Sequence, residues 1–424
     1  MLILLPLLSL YLLTQVPLRA FGAGPDSGAG RRAVIGLAIW GLLVVVIAEG
    51  LGSLGGLTQL GVALAWGATS VALLVYLKFS GKPLALPRPA AWLRSLPRPE
   101  RILLTGLVGV VVILTAIALI SPPNNVDSLL YHMPRVRHWA QRGSLSFYPV
   151  AYTHQLFMPP WAELMLLQIR VLFGSDRLAN LLQLTSFVGC VVGAATLTAS
   201  LGAGRAGRWL AAAFVASIPI VVLEATSTQN DLVVSLWLVI LANIALWEYR
   251  SGARSKAPWI VGVVVGLGLL TKATFVVYSL PLLAWMLLAR LRGAGVRSGL
   301  MFVGVVVVVG MAINLPHWYR TFQAFGSPLG PKEVVLDHLR LPARGEDSVI
   351  GLVRAEFQMV GRNLMTPVPQ INRGVSAFFE AVPGVFGSES AQDLYQALWN
   401  HEDTAGNPLH VALALATISL TLLG

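Results

Sequence analysis

The sequence predicts an all-α protein that crosses the membrane about ten to eleven times, counting runs of roughly 20 apolar residues as spans. Three observations predict this. Of the 424 residues, 56% are hydrophobic and only 12% are charged, where a soluble chain carries roughly 25% charged residues. The mean hydropathy is +0.72. The apolar residues also come in long runs, among them 33–48, 102–120, 209–223, 232–247 and 301–313.

In chain order, spans are expected over 1–16, 33–50, 61–77, 102–120, 178–200, 207–223, 232–248, 258–271, 274–289, 299–316 and 409–423. The first is short. It lacks a basic leading region and a small-x-small cleavage signature, so it reads as a span and not as a cleaved leader. The pair 258–271 and 274–289 reads as a hairpin that does not fully cross. The run 409–423 stops one residue before Gly424, which fits a chain that once ran on into further spans.

Charge sets the direction of these spans, because Lys and Arg collect on the cytoplasmic side. Five short connections are basic. They carry Arg19, Arg31 and Arg32; Lys78, Lys82, Arg88, Arg94, Arg98 and Arg101; Arg205 and Arg208; Arg250, Arg254 and Lys256; and Arg290, Arg292 and Arg297. With those in the cytoplasm, the connections 51–60, 121–177, 224–231 and 317–409 fall outside, and they hold most of the acidic residues. The organisation that follows is N-terminal spans with a basic linker over 1–120, a first outer loop with interfacial helices over 121–177, and a central bundle over 178–316. A large outer loop over 317–408 and a final span over 409–424 complete it.

Several function classes are excluded. The net charge is +11, yet no aromatic-basic recognition module accompanies it, so the basic residues are read as helix-end anchors and nucleic acid is not an expected partner. Cys190 is the only cysteine, which rules out an intrachain disulfide and a thiolate metal site. No phosphate-cradling glycine loop, HExxH or GxSxG motif is present, which argues against soluble nucleotide chemistry.

The first outer loop carries the most chemistry. From Asp127 to Arg142 the pattern is helical: Leu129, Met133, Val136 and Ala140 share one face, while Asp127, Tyr131, Arg135, His138 and Arg142 share the other. That predicts an interfacial helix with its apolar side to the membrane and its polar side outward or into a cavity, kinked at Pro134. Asp127 opens this helix. It reads either as an N-cap or first-turn acid, or as a general base for a hydroxyl or amine acceptor. Downstream, Met158-Pro159-Pro160 precedes an apolar run and predicts a clean helix start. Glu163 then falls in the first turn, where the helix dipole favours it. His154 and Gln155 lie just before the turn with no evident structural task. Tyr131, His132, Arg135, His154, Gln155 and Glu163 are the substrate-binding candidates of this loop.

Beyond it, Asn230 and Asp231 close the short return 224–231. Asp231 is an N-cap for the next span or a second carboxylate at the same membrane face as Asp127. Lys272 stands in an apolar region, where a charge is costly and usually functional. His317, Trp318, Tyr319 and Arg320 are expected at the start of the late outer loop, and His401, Glu402 and Asp403 near its end. The last three read as a solvated stretch more readily than as a metal site, and His401 and Glu402 join the substrate-binding candidates.

This order of features resembles the GT-C superfamily of integral membrane glycosyltransferases, specifically the bacterial members akin to protein-mannosyltransferases and aminoarabinose transferases (family 39). The resemblance covers roughly residues 100–335. It rests on Asp127 opening an interfacial helix, on Met158-Pro159-Pro160 before a helix ending in Leu172-Phe173-Gly174, and on Asp176-Arg177 before the next span. Asp231, Gly268-Leu269-Leu270-Thr271-Lys272 and Gly326-Ser327-Pro328-Leu329 follow. Two departures stand out: relatives often carry His-Pro-Pro where this chain has Met158-Pro159-Pro160, and an Asp-Glu pair where it has Asp127-Ser128. The resemblance implies a GT-C-like bundle that transfers a sugar from a polyprenyl-phosphate donor to a lipid, glycan or protein acceptor. Asp127 would be the base, Asp231 would orient the acceptor or assist, and Lys272 and Arg320 would hold the donor phosphate. No cofactor is required, and a divalent metal is not predicted. The expected location is the bacterial inner membrane, with the active site on the periplasmic side.

Three other readings compete. An O-antigen ligase or polymerase type enzyme would carry catalysis on Arg and His of the large outer loop. A transporter or flippase would show paired inverted repeats and matched broken helices, and only one candidate break, at Lys272, is visible. A non-catalytic scaffold leaves Lys272 and the outer aspartates unexplained.

Overall fold

The computed structural model describes residues 2–16, 28–80, 89–250, 258–334, 360–380 and 405–423. Among the described residues there are helices and turns but no strands. Six helices are long and apolar enough to cross a membrane. The protein is therefore an all-α polytopic membrane protein. In order the helices are α1 (Leu4–Gln15), α2 (Ala29–Ser53), α3 (Gln59–Phe79), α4 (Pro89–Ser95), α5 (Arg98–Ile120), α6 (Met133–Arg142), α7 (His154–Phe157) and α8 (Trp161–Phe173). There follow α9 (Leu181–Ser200), α10 (Arg205–Ala216), α11 (Pro219–Glu224), α12 (Asp231–Arg250), α13 (Pro258–Leu269), α14 (Phe275–Phe325), α15 (Pro369–Glu380) and α16 (Pro408–Leu423). The chain falls into two compact units, Met1–Ala213 with Ala225–Gly330, and Phe214–Glu224 with Pro331–Gly424.

In the first unit, α1 packs against α3 through Leu12, Val16 and Leu77. Polar side chains are satisfied inside this apolar packing: Ser9 Oγ lies 2.8 Å from Ser70 Oγ, and the Trp66 indole donates to Gln168 Oε1 at 2.7 Å. Small residues let helices approach, as expected where lipid supplies no hydrophobic drive. A Cβ on Gly193 of α9 would lie 2.4 Å from Val239 of α12, and one on Gly262 of α13 would lie 2.8 Å from Val309 of α14.

Helix α13 has 12 residues. At about 1.5 Å per residue it falls well short of a ~30 Å hydrocarbon core, whereas the second arm of the expected hairpin is a long helix, from Phe275 to the kink at Gly295. Three expectations are corrected. The expected spans 274–289 and 299–316 are joined without a loop, the chain turning at Gly295, whose φ of 80° is the left-handed conformation glycine permits. The second of them runs on to Phe325, so His317, Trp318, Tyr319 and Arg320 lie on a helix and not in a loop. The expected span 207–223 is divided between α10 and α11, because Pro219 cannot continue a helix and disfavours helical geometry in the residue before it.

In the second unit, Asn407 joins neighbouring segments. Its Oδ1 accepts from the Ile220 N–H at 3.3 Å, and its Nδ2 donates to Asn363 Oδ1 at 2.7 Å.

Candidate active site

The connection from α5 to α8 contains a five-residue π-helical turn, Ser128–His132, that runs directly into α6. Such turns occur often at functional sites. Pro134 follows the π-helical turn directly; its missing N–H leaves the Leu130 carbonyl, which accepts from Gln155 Nε2 instead. The capping task falls to Asn125, whose Oδ1 accepts from the Ser128 N–H at 2.8 Å. Asp127 makes no capping bond. Its half-buried carboxylate accepts one hydrogen bond, from Tyr131 Oη at 3.1 Å.

Arg135 is turned inward, the second of the two orientations expected for the polar face. It is fully buried, and the reason is an acceptor for each of its three nitrogens. Nη1 donates to Glu163 Oε1 at 2.9 Å, Nη2 to the His154 carbonyl at 2.8 Å, and Nε to the Gln155 carbonyl at 2.5 Å. The same Glu163 oxygen lies 3.1 Å from His132 Nδ1. Gln155 donates to the Leu130 carbonyl at 2.7 Å and accepts from Tyr148 Oη at 3.1 Å. His132, Arg135, Gln155, Glu163 and the backbone of His154 thus bond to one another. They clamp the loop onto α8.

The electrostatics agree. Burial alone would raise the Glu163 pKa, but the adjacent Arg135 and His132 outweigh it and hold the carboxyl below 4.5. Burial lowers the Arg135 guanidinium, and Glu163 pulls it back. Burial raises Tyr131, with the Asp127 and Glu163 charges adding, so its phenol stays protonated and donates. Burial likewise pushes Tyr148 up to about 12.

Four contacts join the loop that carries Asp127, α8 and the segments around Asp231 and Lys272. Thr228 Oγ1 donates to Ser128 Oγ, the residue after Asp127. Lys272 Nζ donates to Asp231 Oδ1 at 2.6 Å, with side-chain exposures of 36% and 44%. The last carbonyls of a helix lack internal partners, and beyond α13 they are met from both loops: the Trp161 N–H donates to the Leu270 carbonyl at 2.7 Å, and Asn230 Nδ2 to the Thr271 carbonyl at 3.0 Å. Asp127, Asp231 and Lys272 therefore share one end of the bundle. Arg320 makes none of these contacts; its guanidinium is gripped by both Glu49 oxygens at 2.6 and 2.7 Å, and its charge acts on Arg135 of the clamp.

Glu49, Asn125 and Thr228 are absent from the sequence-derived set. Glu49 had a signal, an acid at the end of the apolar run 33–50. Asn125 and Thr228 had none, since a capping or bridging role depends on the partner. His401 and Glu402 lie outside the described residues. Among the described residues no group of three or more His, Cys, Asp or Glu is arranged to hold a metal ion. Compared with family models, with curated proteins and with solved structures, the chain gives no match.

Proposed function

We propose that this protein is a glycosyltransferase that moves a sugar from a polyprenyl-phosphate donor to an acceptor at the extracytoplasmic face of a bacterial inner membrane. The acceptor class is a lipid, a glycan or a protein. One observation carries the reading: a half-buried carboxylate with a single hydrogen-bond partner, Asp127, stands on a loop tied by Ser128 and Thr228 to the segment that leads into the Asp231–Lys272 pair. A base and a cation at one end of an apolar bundle are what sugar transfer from a phosphate requires.

In this mechanism Asp127 takes the proton of the acceptor hydroxyl. The acceptor oxygen bonds to the anomeric carbon as the bond to the phosphate oxygen breaks, inverting the centre. The bonding electrons leave on the phosphate. Lys272 counters that charge, for its ammonium has three donors and gives one to Asp231. Positive charge placed in advance lowers such a barrier. Asp231 holds Lys272 in position. Arg320 is the second phosphate candidate; Glu49 takes one N–H from each of its terminal nitrogens.

The test is sugar transfer from a panel of polyprenyl-phosphate sugars by the purified protein and by Asp127→Asn. Transfer by the wild type that disappears in the variant, with donor still bound, supports the base assignment. Transfer that survives in Asp127→Asn removes it.

A further inference from the structure

A second site lies at the far end of the helical run that Asp127 opens. From Asp127 to Arg142 the run covers roughly 20 Å, at about 1.5 Å per residue. There the α2–α3 connection and the C-terminal ends of α6 and α8 border an open cleft of ≈ 470 Å³, lined by Thr58, Gln59, Gln141, Arg142 and Arg170 among others. That volume is within the ~300–1,000 Å³ of ligand pockets. One backbone and one side-chain hydrogen bond shape its wall: the Leu57 N–H donates to the Gly143 carbonyl at 3.1 Å, and the Gln59 side-chain Nε2 to the Leu172 carbonyl at 3.3 Å.

The charge around the cleft is positive and incompletely neutralised. Asp176 is shared between Arg170 and Arg137. Arg142 is exposed and has no carboxylate partner among the described residues, its one hydrogen bond being a long one, 3.4 Å, to the Phe147 carbonyl. Guanidinium groups select anions with several oxygens in fixed array. Two of them, from two helices, suit the free oxygens of a phosphate ester, three in a monoester and two in a diester. The cleft exceeds what a bare phosphate fills, and Thr58, Gln59 and Gln141 supply donors and acceptors for hydroxyl groups.

We propose that this cleft binds a phosphate ester carrying hydroxyl groups, separately from the Asp127 site and whatever reaction occurs there. A soluble phosphate ester and a lipid headgroup share this chemistry, and the experiment distinguishes them.

Binding of glycerol phosphate, with glycerol as the uncharged control, is measured on the purified full-length protein by calorimetry. Association with phosphatidylglycerol vesicles, against phosphatidylcholine vesicles, is measured on the same protein. Arg142→Gln is expected to weaken binding about tenfold or more, as for loss of a charge-assisted contact. Arg142→Lys should retain part of it, and Arg101→Gln should behave as wild type. Loss in the glycerol phosphate arm supports a soluble ester. Loss confined to phosphatidylglycerol supports a headgroup. No binding in either arm, or binding unchanged by Arg142→Gln in both, overturns the proposal.

Discussion

Lys272 and Asp231, one following the short helix α13 and the other opening α12, face each other across 2.6 Å. Both side chains are more than a third exposed, so the pair adds little to stability, about 0–1 kcal/mol. Lys272→Met should leave the melting temperature in detergent nearly unchanged and lower sugar transfer about a hundredfold or more, the scale for removing one preorganised charge from a transition state. Equal loss of stability and activity would assign the pair to the fold.

The clamp around Arg135 predicts the opposite pattern. Removing one member of a fully buried ion pair costs about 3–5 kcal/mol, because the remaining charge stays buried. Glu163→Gln should therefore lower the melting temperature strongly, and Arg135→Met with it. Chemical or thermal unfolding of the purified variants checks this.

Glu163 also sets a pH dependence. Its folded pKa lies below 4.5, so the unfolded state takes up protons first as the pH falls. The stability it contributes is complete above 4.5 and is lost as the pH drops through the depressed folded value. Melting temperatures of the wild type should fall on acidification through that range, and Glu163→Gln should lack this component.

Two tyrosines separate positioning from packing. Tyr131→Phe removes the donor to Asp127 and should change the pH profile of transfer with little change in melting temperature. Tyr148→Phe leaves the buried Gln155 Oε1 without its donor and should cost about 1–3 kcal/mol of stability, with the pH profile unmoved.

At Gly266 an added Cβ would meet Ile313 Cδ1 at 2.7 Å and Gly310 Cα at 3.2 Å. Gly266→Ala should destabilise the α13–α14 contact by about 1–3 kcal/mol, the usual cost of overpacking. Unfolding measurements check it, with Gly304→Ala, where nothing lies within 4 Å, as the control.

Much of this protein is legible from local pattern. Apolar runs mark α2, α3, α5, α9 and α12 because membrane spanning demands continuous hydrophobicity, which is a property of neighbouring residues. Pro159-Pro160 marks the start of α8 for an equally local reason. Asp127, Asp231 and Lys272 stand out because each is a charge beside or within apolar sequence.

Partnership is not local, and the tertiary structure alone decided it. The polar periodicity that carries Arg135 left open whether it faces outward or into a cavity; it is buried, because Glu163 and two carbonyls, 19 to 28 residues away, supply its acceptors. Lys272 finds Asp231 at a separation of 41 residues, and Arg320 finds Glu49 at 271. The sequence by itself determined which segments are helices, which of them can enter a membrane, and which charges stand where charge is expensive. Which charges neutralise one another, and so which remain for chemistry, depends on how the helices pack, since an ion pair is set by distance in space and not along the chain.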